Sequence, residues 1–249
     1  MQRSTIRSLS SLLLGGVLLA AQAAASAQAP AHARIDPPPS AQLDYAIKAN
    51  QKGLPLDGSA TVQWHTDGKH YSVRTETHAM LLGKILDAQS EGSIDSFGLA
   101  PSRATEKRFH KEETVTTFDR QHGKVTYSAS AASSPLKDSE QDRNSITWQL
   151  ASMARAGQFK PGDTVSFTVA GPKDADIWTF KVGREEKIST PLGALQALQL
   201  SRIVKDDHGQ KVDLWLAPSR EWYPVRIRFT EPDGDYIEQT VENIVPATH

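Results

Sequence analysis

The residues able to do chemistry are few, and their spacing limits them further. None of the 249 residues is cysteine, which excludes thiolate nucleophiles, thiolate metal sites, disulfides and a lipid-modified cysteine. The chain has no G-x-S-x-G elbow, no H-E-x-x-H, no phosphate-binding glycine loop and no dinucleotide fingerprint. Three acid or imidazole pairs remain: His65 with His70, Glu185 with Glu186, and Asp206 with Asp207. A two-residue turn at Asp67-Gly68 sets His65 opposite His70, with Cβ atoms roughly 5 Å apart. Two imidazoles at that distance can hold a metal ion, but zinc takes three or four protein ligands, and Glu76 and His78 lie well along the strand. Solvated surface histidines are the better reading. Glu185 and Glu186 are adjacent on a strand and point to opposite faces. Asp206 and Asp207 precede Gly209 and act first as turn formers. No catalytic residue, metal or cofactor is therefore expected.

The start of the chain reads as a targeting segment. Arg3 and Arg7 precede an apolar run from Leu12 to Ala21, and Ala25-Ser26-Ala27 has the small-x-small pattern of a signal peptidase site, so residues 1–27 read as a cleaved signal peptide and the periplasm as the destination. The run is well short of the roughly 18 to 20 apolar residues that cross a bilayer, and no membrane span is expected in the mature chain. Without Arg3 and Arg7, 26 basic side chains face 29 acidic ones. A slightly acidic chain with both signs interspersed offers no phosphate-gripping patch, so nucleic acid is set aside as a partner.

Residues 28–42 are rich in proline and alanine, and Pro37-Pro38-Pro39 reads as a stiff, exposed spacer. From Leu43 to residue 249 a single domain is expected, dominated by period-two alternation with frequent turns. In SATVQWHTDGKHYSVRTETHA the faces separate: Ala60, Val62 and Trp64 join Tyr71, Val73 and Ala79 on the core side, and Trp64 falls opposite Tyr71. His122-Gly123 suggests a second two-residue turn, with Phe118 opposite Tyr127. The stretch 128–142 has no period and few large apolar groups and reads as a mobile loop. One helix is expected in NSITWQLASMARAG, capped by Asn144 or Ser145, with Ile146, Leu150, Met153 and Ala154 on one face and Gly157 as its stop. Trp148 lies toward the other face, where it touches a ligand or another loop. The fold class expected is mainly β: a large curved antiparallel sheet forming a partly closed barrel, with one short amphipathic helix packed on it.

The stretch DLWLAPSREWYPVRIRF reads as a hairpin rather than an active-site wall. Val212, Leu214 and Leu216 match Val225, Ile227 and Phe229 across it, with Leu216 opposite Val225. Asp213 then falls opposite Arg228 as an ion pair and Trp215 opposite Arg226 as a cation–π contact, both on the outer face. Arg220, Glu221 and Trp222 are left in the connection as candidate ligand or partner contacts.

The run VGREEKISTPLGALQALQLSR, followed by VDLWLAPSREWYPVRIRF and preceded upstream by SFGLAPSRATEKR, resembles domain-of-unknown-function family 3108 of secreted bacterial proteins. The similarity covers most of the chain from about Leu43 and rests on Gly98, Leu99 and Pro101, on Thr190 and Gly193, and on Trp215, Pro224 and Val225. It implies an exported β-rich domain, similar also to the half-barrels of periplasmic lipoprotein carriers, with no established activity. The polar loop 128–142 looks like a local elaboration.

Three function classes follow. The first is a non-enzymatic binding domain for a lipid or other hydrophobic envelope ligand, enclosed by the curved sheet and the helix. The second is a protein–protein interaction module of the cell envelope, working through an edge strand or the proline-rich arm. The third is a hydrolase of envelope polymers, which needs a triad or carboxylate pair that only distances can reveal.

Overall fold

The computed structural model describes residues 34–204 and 209–247. The signal segment and the Asp206-Asp207 pair lie outside the described residues. The described residues form fifteen strands: β1 (Ala41–Gln51), β2 (Leu54–Thr66), β3 (His70–Ala79), β4 (Gly83–Asp95), β5 (Gly98–Arg108), β6 (Thr114–Asp119), β7 (Lys124–Tyr127), β8 (Ser130–Pro135), β9 (Gln141–Asp142), β10 (Thr164–Ala170), β11 (Ala175–Thr190), β12 (Gly193–Ile203), β13 (Lys211–Leu216), β14 (Pro224–Thr230) and β15 (Tyr236–Pro246). One helix, α1 (Ser145–Arg155), lies between β9 and β10.

All fifteen strands belong to one sheet, in the order β8-β7-β6-β5-β4-β3-β2-β1-β15-β14-β13-β12-β11-β10-β9. The two arms are antiparallel meanders joined where β1 pairs with β15, and the β9–β10 pair is parallel. Residues 136–140 carry the chain from β8 at one edge to β9 at the other. Laid flat, such a sheet is roughly 65 Å wide, whereas a link of this length reaches about 20 Å. The sheet must therefore roll. It does not close into the partial barrel expected from the sequence, because no ladder joins its edges. Side chains bridge the seam instead: Thr116 Oγ1 donates to Gly171 O at 3.0 Å, and Phe118, Val125, Tyr127 and Leu136 pack with Ala170. The stretch expected as a loop supplies both edge strands, β8 and β9. Its lack of period reflects short edge pairing without a large apolar face.

The helix forms where expected but is not an amphipathic helix on a sheet. Every residue of α1 except Thr147 and Arg155 is buried, so the helix fills the roll rather than covering it. Its cap also differs. Asn144 makes no side-chain cap; the Asp142 carboxylate accepts from Asn144 N at 2.8 Å and Ser145 N at 3.0 Å. A carboxylate suits this place because the helix start is electropositive. The stop is as read: Gly157 has φ 71°, and Gln158 N donates back to Met153 O.

The core faces of the first hairpin are as expected for Ala60, Val62, Trp64, Tyr71 and Val73, which are buried, while Ala79 at the end of the strand is only half-buried. Its register is not, since Trp64 faces Val73 and His65 faces Ser72. Asp67 accepts from Lys69 N at 2.8 Å and His70 N at 2.6 Å, which favours a four-residue loop over a two-residue turn. The same device recurs at Asp119, which accepts from His122 N, so Phe118 faces Val125 rather than Tyr127. A two-residue shift keeps every side chain on its face.

Candidate functional site

The roll is filled by residues that read separately in the sequence. Trp148, from α1, is 2% exposed and stacks on Trp64 of β2 at 4.3 Å and 4°. Tyr223 meets Trp148 edge-on at 6.3 Å. Trp64 Nε1 donates to Pro38 O at 2.9 Å, and Tyr223 OH donates to Pro39 O at 2.8 Å. The triple proline is thus docked across one end of the roll rather than standing free as a spacer. Proline carbonyls suit this, because the ring removes the amide donor but leaves a strong acceptor.

Beside the aromatic stack lies a buried polar relay. Tyr71 OH and Ser90 Oγ are 3.0 Å apart, and Ser90 Oγ donates to Asp142 Oδ2 at 2.5 Å. Burial pushes the Asp142 carboxyl up from its ordinary value, against the pull of the Ser90, Asn144 and Ser145 donors. Burial also raises the Tyr71 phenol well above its usual value, with the Asp142 charge adding to the effect. Both Asp142 oxygens are committed to donors, and the adjoining cleft, lined by Thr116, Arg143 and Gly171, holds about 30 Å³. That is room for a water molecule, not a substrate. The relay ties α1 to β3 and β4.

The strongest family-like residues have structural work of the same kind. Gln149 of α1 accepts from Leu99 N at 2.8 Å, while Gln141 donates to Leu99 O at 2.7 Å. Gly98 has φ 117°, and a Cβ there would lie 2.3 Å from the Gln149 amide. Thr190 Oγ1 donates to Gly193 O at 2.9 Å and closes the β11–β12 turn.

In the β13–β14 hairpin, Asp213 lies opposite Arg228 and Trp215 opposite Arg226, as read, but a bulge puts Leu216 opposite Pro224. Arg226 stands 5.8 Å from the Trp215 ring. Asp213 makes no ion pair with Arg228; it accepts from Ser201 Oγ at 2.5 Å, while Arg228 reaches Glu238 at 3.3 Å. Nor is Trp215 on an outer surface. It is buried, its indole donates to Glu186, and Arg226 Nη2 donates to Ser189 O at 2.7 Å, because the end of the β11–β12 hairpin folds over this face.

The connection that follows holds the other residues singled out from the sequence. Arg220 is exposed. Glu221 and Trp222 take consecutive left-handed conformations, with φ 51° and 62°. Such values cost about 1–3 kcal/mol per non-glycine residue unless neighbours impose them. Arg155 provides that restraint on one side, pairing with Glu221 at 3.1 Å and with Asp36. Trp222 packs on the core around α1 on the other. Trp148 is buried inside the roll and meets, edge-on, Tyr223, the residue that directly follows this loop in the chain.

The histidine pair is separated by the wider loop. His70 Nδ1 pairs with Asp67 at 3.1 Å, His65 Nδ1 lies 3.3 Å from Ser40 Oγ, and both line an open groove of about 500 Å³ with Ser72, Glu91, Ser93 and Ser102. Among the described residues no three histidine or acidic groups converge on a metal-holding point. Glu185 and Glu186 point to opposite faces, Glu186 being engaged by Trp215.

One surface feature escaped the sequence reading. Leu54, Leu56, Met80, Leu81, Leu82 and Phe109 are all exposed, with Leu81 at 92% and Met80 at 75%. Leu54 and Leu56 open β2 just after the β1–β2 turn, and the others sit on the β3–β4 and β5–β6 turns; antiparallel alternation places all three turns at the same end of the sheet, opposite the docked prolines. Gly53 and Gly83, at φ 77° and 71°, make the turns, leaving the tip side chains free of any turn-forming duty. Met80 N donates to Asp57 O and Phe109 N to Ile85 O, which holds the three turns side by side. The legible signal was Met80-Leu81-Leu82 before Gly83: an apolar triplet where turn chemistry favours polar residues.

Among solved structures, the chain is similar to a β-barrel-like protein of domain of unknown function DUF1849 from Brucella abortus, at 14% identity and TM-score 0.56, covering 86% of this chain and 100% of that one. This supports the fold alone. A putative outer membrane lipoprotein-sorting protein domain from Vibrio parahaemolyticus matches at 9% identity and TM-score 0.33, covering 87% of this chain and 88% of that one. A DUF1329 family protein from Desulfovibrio piger matches at 8% and 0.31, over 86% and 88%. No curated protein matches the chain. The family model described as protein of unknown function (DUF3108) matches residues 44–242, the rolled sheet from β1 to β15 with its buried helix, and the chain belongs to that family.

Proposed function

We propose that this protein is a non-enzymatic binding domain for a hydrophobic component of the cell envelope, which it meets at the apolar end of the roll rather than inside it. The observation that carries this reading is the concentration of exposed leucine, methionine and phenylalanine on three neighbouring turns. Folded domains rarely gather so many exposed large apolar side chains at one end without a use for them. The filled interior argues against an enclosed ligand: the aromatic stack, α1 and the Asp142 relay occupy the space a carrier would leave open. The committed hydrogen bonds of Asp142 and the separation of the His65–His70 and Glu185–Glu186 pairs argue against hydrolysis. The signal-like segment supports export to the periplasm, where such components are met.

The test is binding of a monomeric fluorescent fatty acid to the wild-type chain and to a Leu54→Asp/Leu81→Asp variant. Saturable binding lost in the variant, at unchanged thermal stability, is the expected result; equal binding by both would remove the apolar end from the reading.

A second reading is favoured by one observation, the consecutive left-handed Glu221 and Trp222. Backbone held in such conformations clusters at recognition sites. On this reading Arg220, Glu221 and Trp222 contact an envelope protein, with Trp148 supporting them from within through Tyr223. A photo-crosslinker at position 220 that captures no discrete partner from envelope extracts would dispose of it.

A further inference from the structure

We infer that the occupant of the apolar end is the interface of an anionic lipid bilayer, into which the three turn tips insert. This rests on the reading of that end as the binding surface and adds what it binds. The tips are separate projections: Leu54 and Leu56 from one turn, Met80, Leu81 and Leu82 from the next, Phe109 from the third. A folded protein partner would have to present matching hollows at three points, whereas the boundary between headgroups and acyl chains is fluid and accepts projecting side chains to a depth of about 5–10 Å.

Charge supplies the second argument. Three ion pairs ring these tips, Lys48–Asp57 at 2.6 Å, Lys84–Asp87 at 2.8 Å and Arg108–Glu106 at 2.6 Å. In every one the cation is the more exposed partner, 72% against 49%, 45% against 22% and 57% against 18%. The carboxylates anchor the bases from the sheet side, and the bases face outward. Lys52, Lys107 and Lys111 are exposed as well, and no ion pair involves them among the described residues. Lys52 is held by its backbone, since its amide donates to Asp235 at 2.8 Å. Among the described residues, Glu112 and Glu113 on these turns, and Glu231 and Asp233 on the adjoining β14–β15 turn, are exposed carboxylates in no ion pair. Bases flanking projecting apolar groups complement the negative potential of an anionic membrane, with long stems lying along the apolar surface and ammonium groups at the phosphates. Among the described residues, Val245 is the large apolar side chain exposed at the opposite end.

The absence of cysteine makes the test direct. Leu81→Cys and, as a control, Val245→Cys are labelled with an environment-sensitive fluorophore in the full chain. Each is mixed with vesicles of phosphatidylglycerol and phosphatidylcholine, or of phosphatidylcholine alone. The expected result is a blue shift and loss of most iodide quenching at position 81 on the anionic vesicles, with position 245 still quenched. Lys52→Glu with Lys111→Glu should weaken vesicle binding about tenfold or more. Quenching at position 81 that is unchanged by vesicles overturns the bilayer inference. Equal insertion into both vesicle types overturns its anionic part. If vesicles have no effect while the monomeric fatty acid still shifts the dye at position 81, the bilayer falls and the wider binding reading stands. If neither probe shifts the dye, both fall. A shift caused by a soluble envelope protein without lipid replaces the bilayer with that protein.

Discussion

Gln149 occupies the place where Gly98 has no side chain, its Oε1 accepting the Leu99 amide hydrogen at 2.8 Å. A residue from the helix thus satisfies the backbone at the start of β5, which β6, pairing only with Arg103–Glu106, leaves without a strand on that side. Gly98→Ala places a methyl against the amide at a φ that alanine avoids, and should destabilise the fold by about 2–4 kcal/mol. Gln149→Ala strands a buried N–H and should cost about 1–3 kcal/mol. Urea unfolding of both variants checks these values.

Asp142 gives a pH dependence of defined sign. Its folded-state pKa is raised by burial, so the folded state holds the proton more tightly than the unfolded state does. This contribution is fully present below the ordinary carboxylate value near 3.8 and is lost as pH rises through the folded value. Asp142→Asn should therefore flatten the decline in stability on the alkaline side of that range while keeping an acceptor for the helix amides. Thermal melts of both proteins from pH 3 to pH 8, with the difference plotted against pH, would show it; parallel curves would contradict it.

The strained connection predicts a substitution that stabilises. Glu221→Gly relieves a left-handed residue at the loss of one exposed ion pair to Arg155, a pair of the kind that contributes about 1 kcal/mol or less. The melting temperature should be unchanged or higher. Glu221→Val should lower it, because a β-branched residue resists φ 51°. Arg220→Ala should leave it unchanged, and differential scanning calorimetry separates the three cases.

Removing the residues before Ala41 should both destabilise the domain and redden its fluorescence. Trp64 Nε1 loses Pro38 O and Tyr223 OH loses Pro39 O, and water replaces both acceptors. Each lost hydrogen bond costs about 0.5–1.5 kcal/mol. The emission maximum of the Trp64–Trp148 stack, now open to water, should move to longer wavelength, and an unchanged spectrum would mean that the arm is not docked in solution.

The three hairpins show what alternation does and does not contain. Period-two burial assigned Ala60, Val62, Trp64, Tyr71 and Val73 to the core, and they are buried. It could not count the residues in the turn, because the Asp67 and Asp119 carboxylates reach back to amides that a two-residue turn would leave elsewhere. Between β13 and β14 the pairings Asp213–Arg228 and Trp215–Arg226 were legible. Their partners were not, since Asp213 chose Ser201 and Trp215 chose Glu186 from strands that only the third dimension brings close.

Of the candidate sites, the Arg220–Trp222 connection was visible in the sequence, because charged and aromatic residues crowd it between two strands. The apolar end was not, because Met80-Leu81-Leu82 scores as strand until it is known to be a turn, and its neighbours Leu54 and Phe109 come from other turns. Local preference and alternation by themselves determined the β character, the helix at residues 145–155 and the core face of the first hairpin, and the sequence motifs carried the family resemblance. Only the tertiary structure decided that the sheet rolls without closing, that the helix is swallowed whole, that the prolines dock, and that three turns pool their exposed side chains. These depend on distances between residues far apart in the chain, set by the short link between the two edges, and no local pattern encodes them.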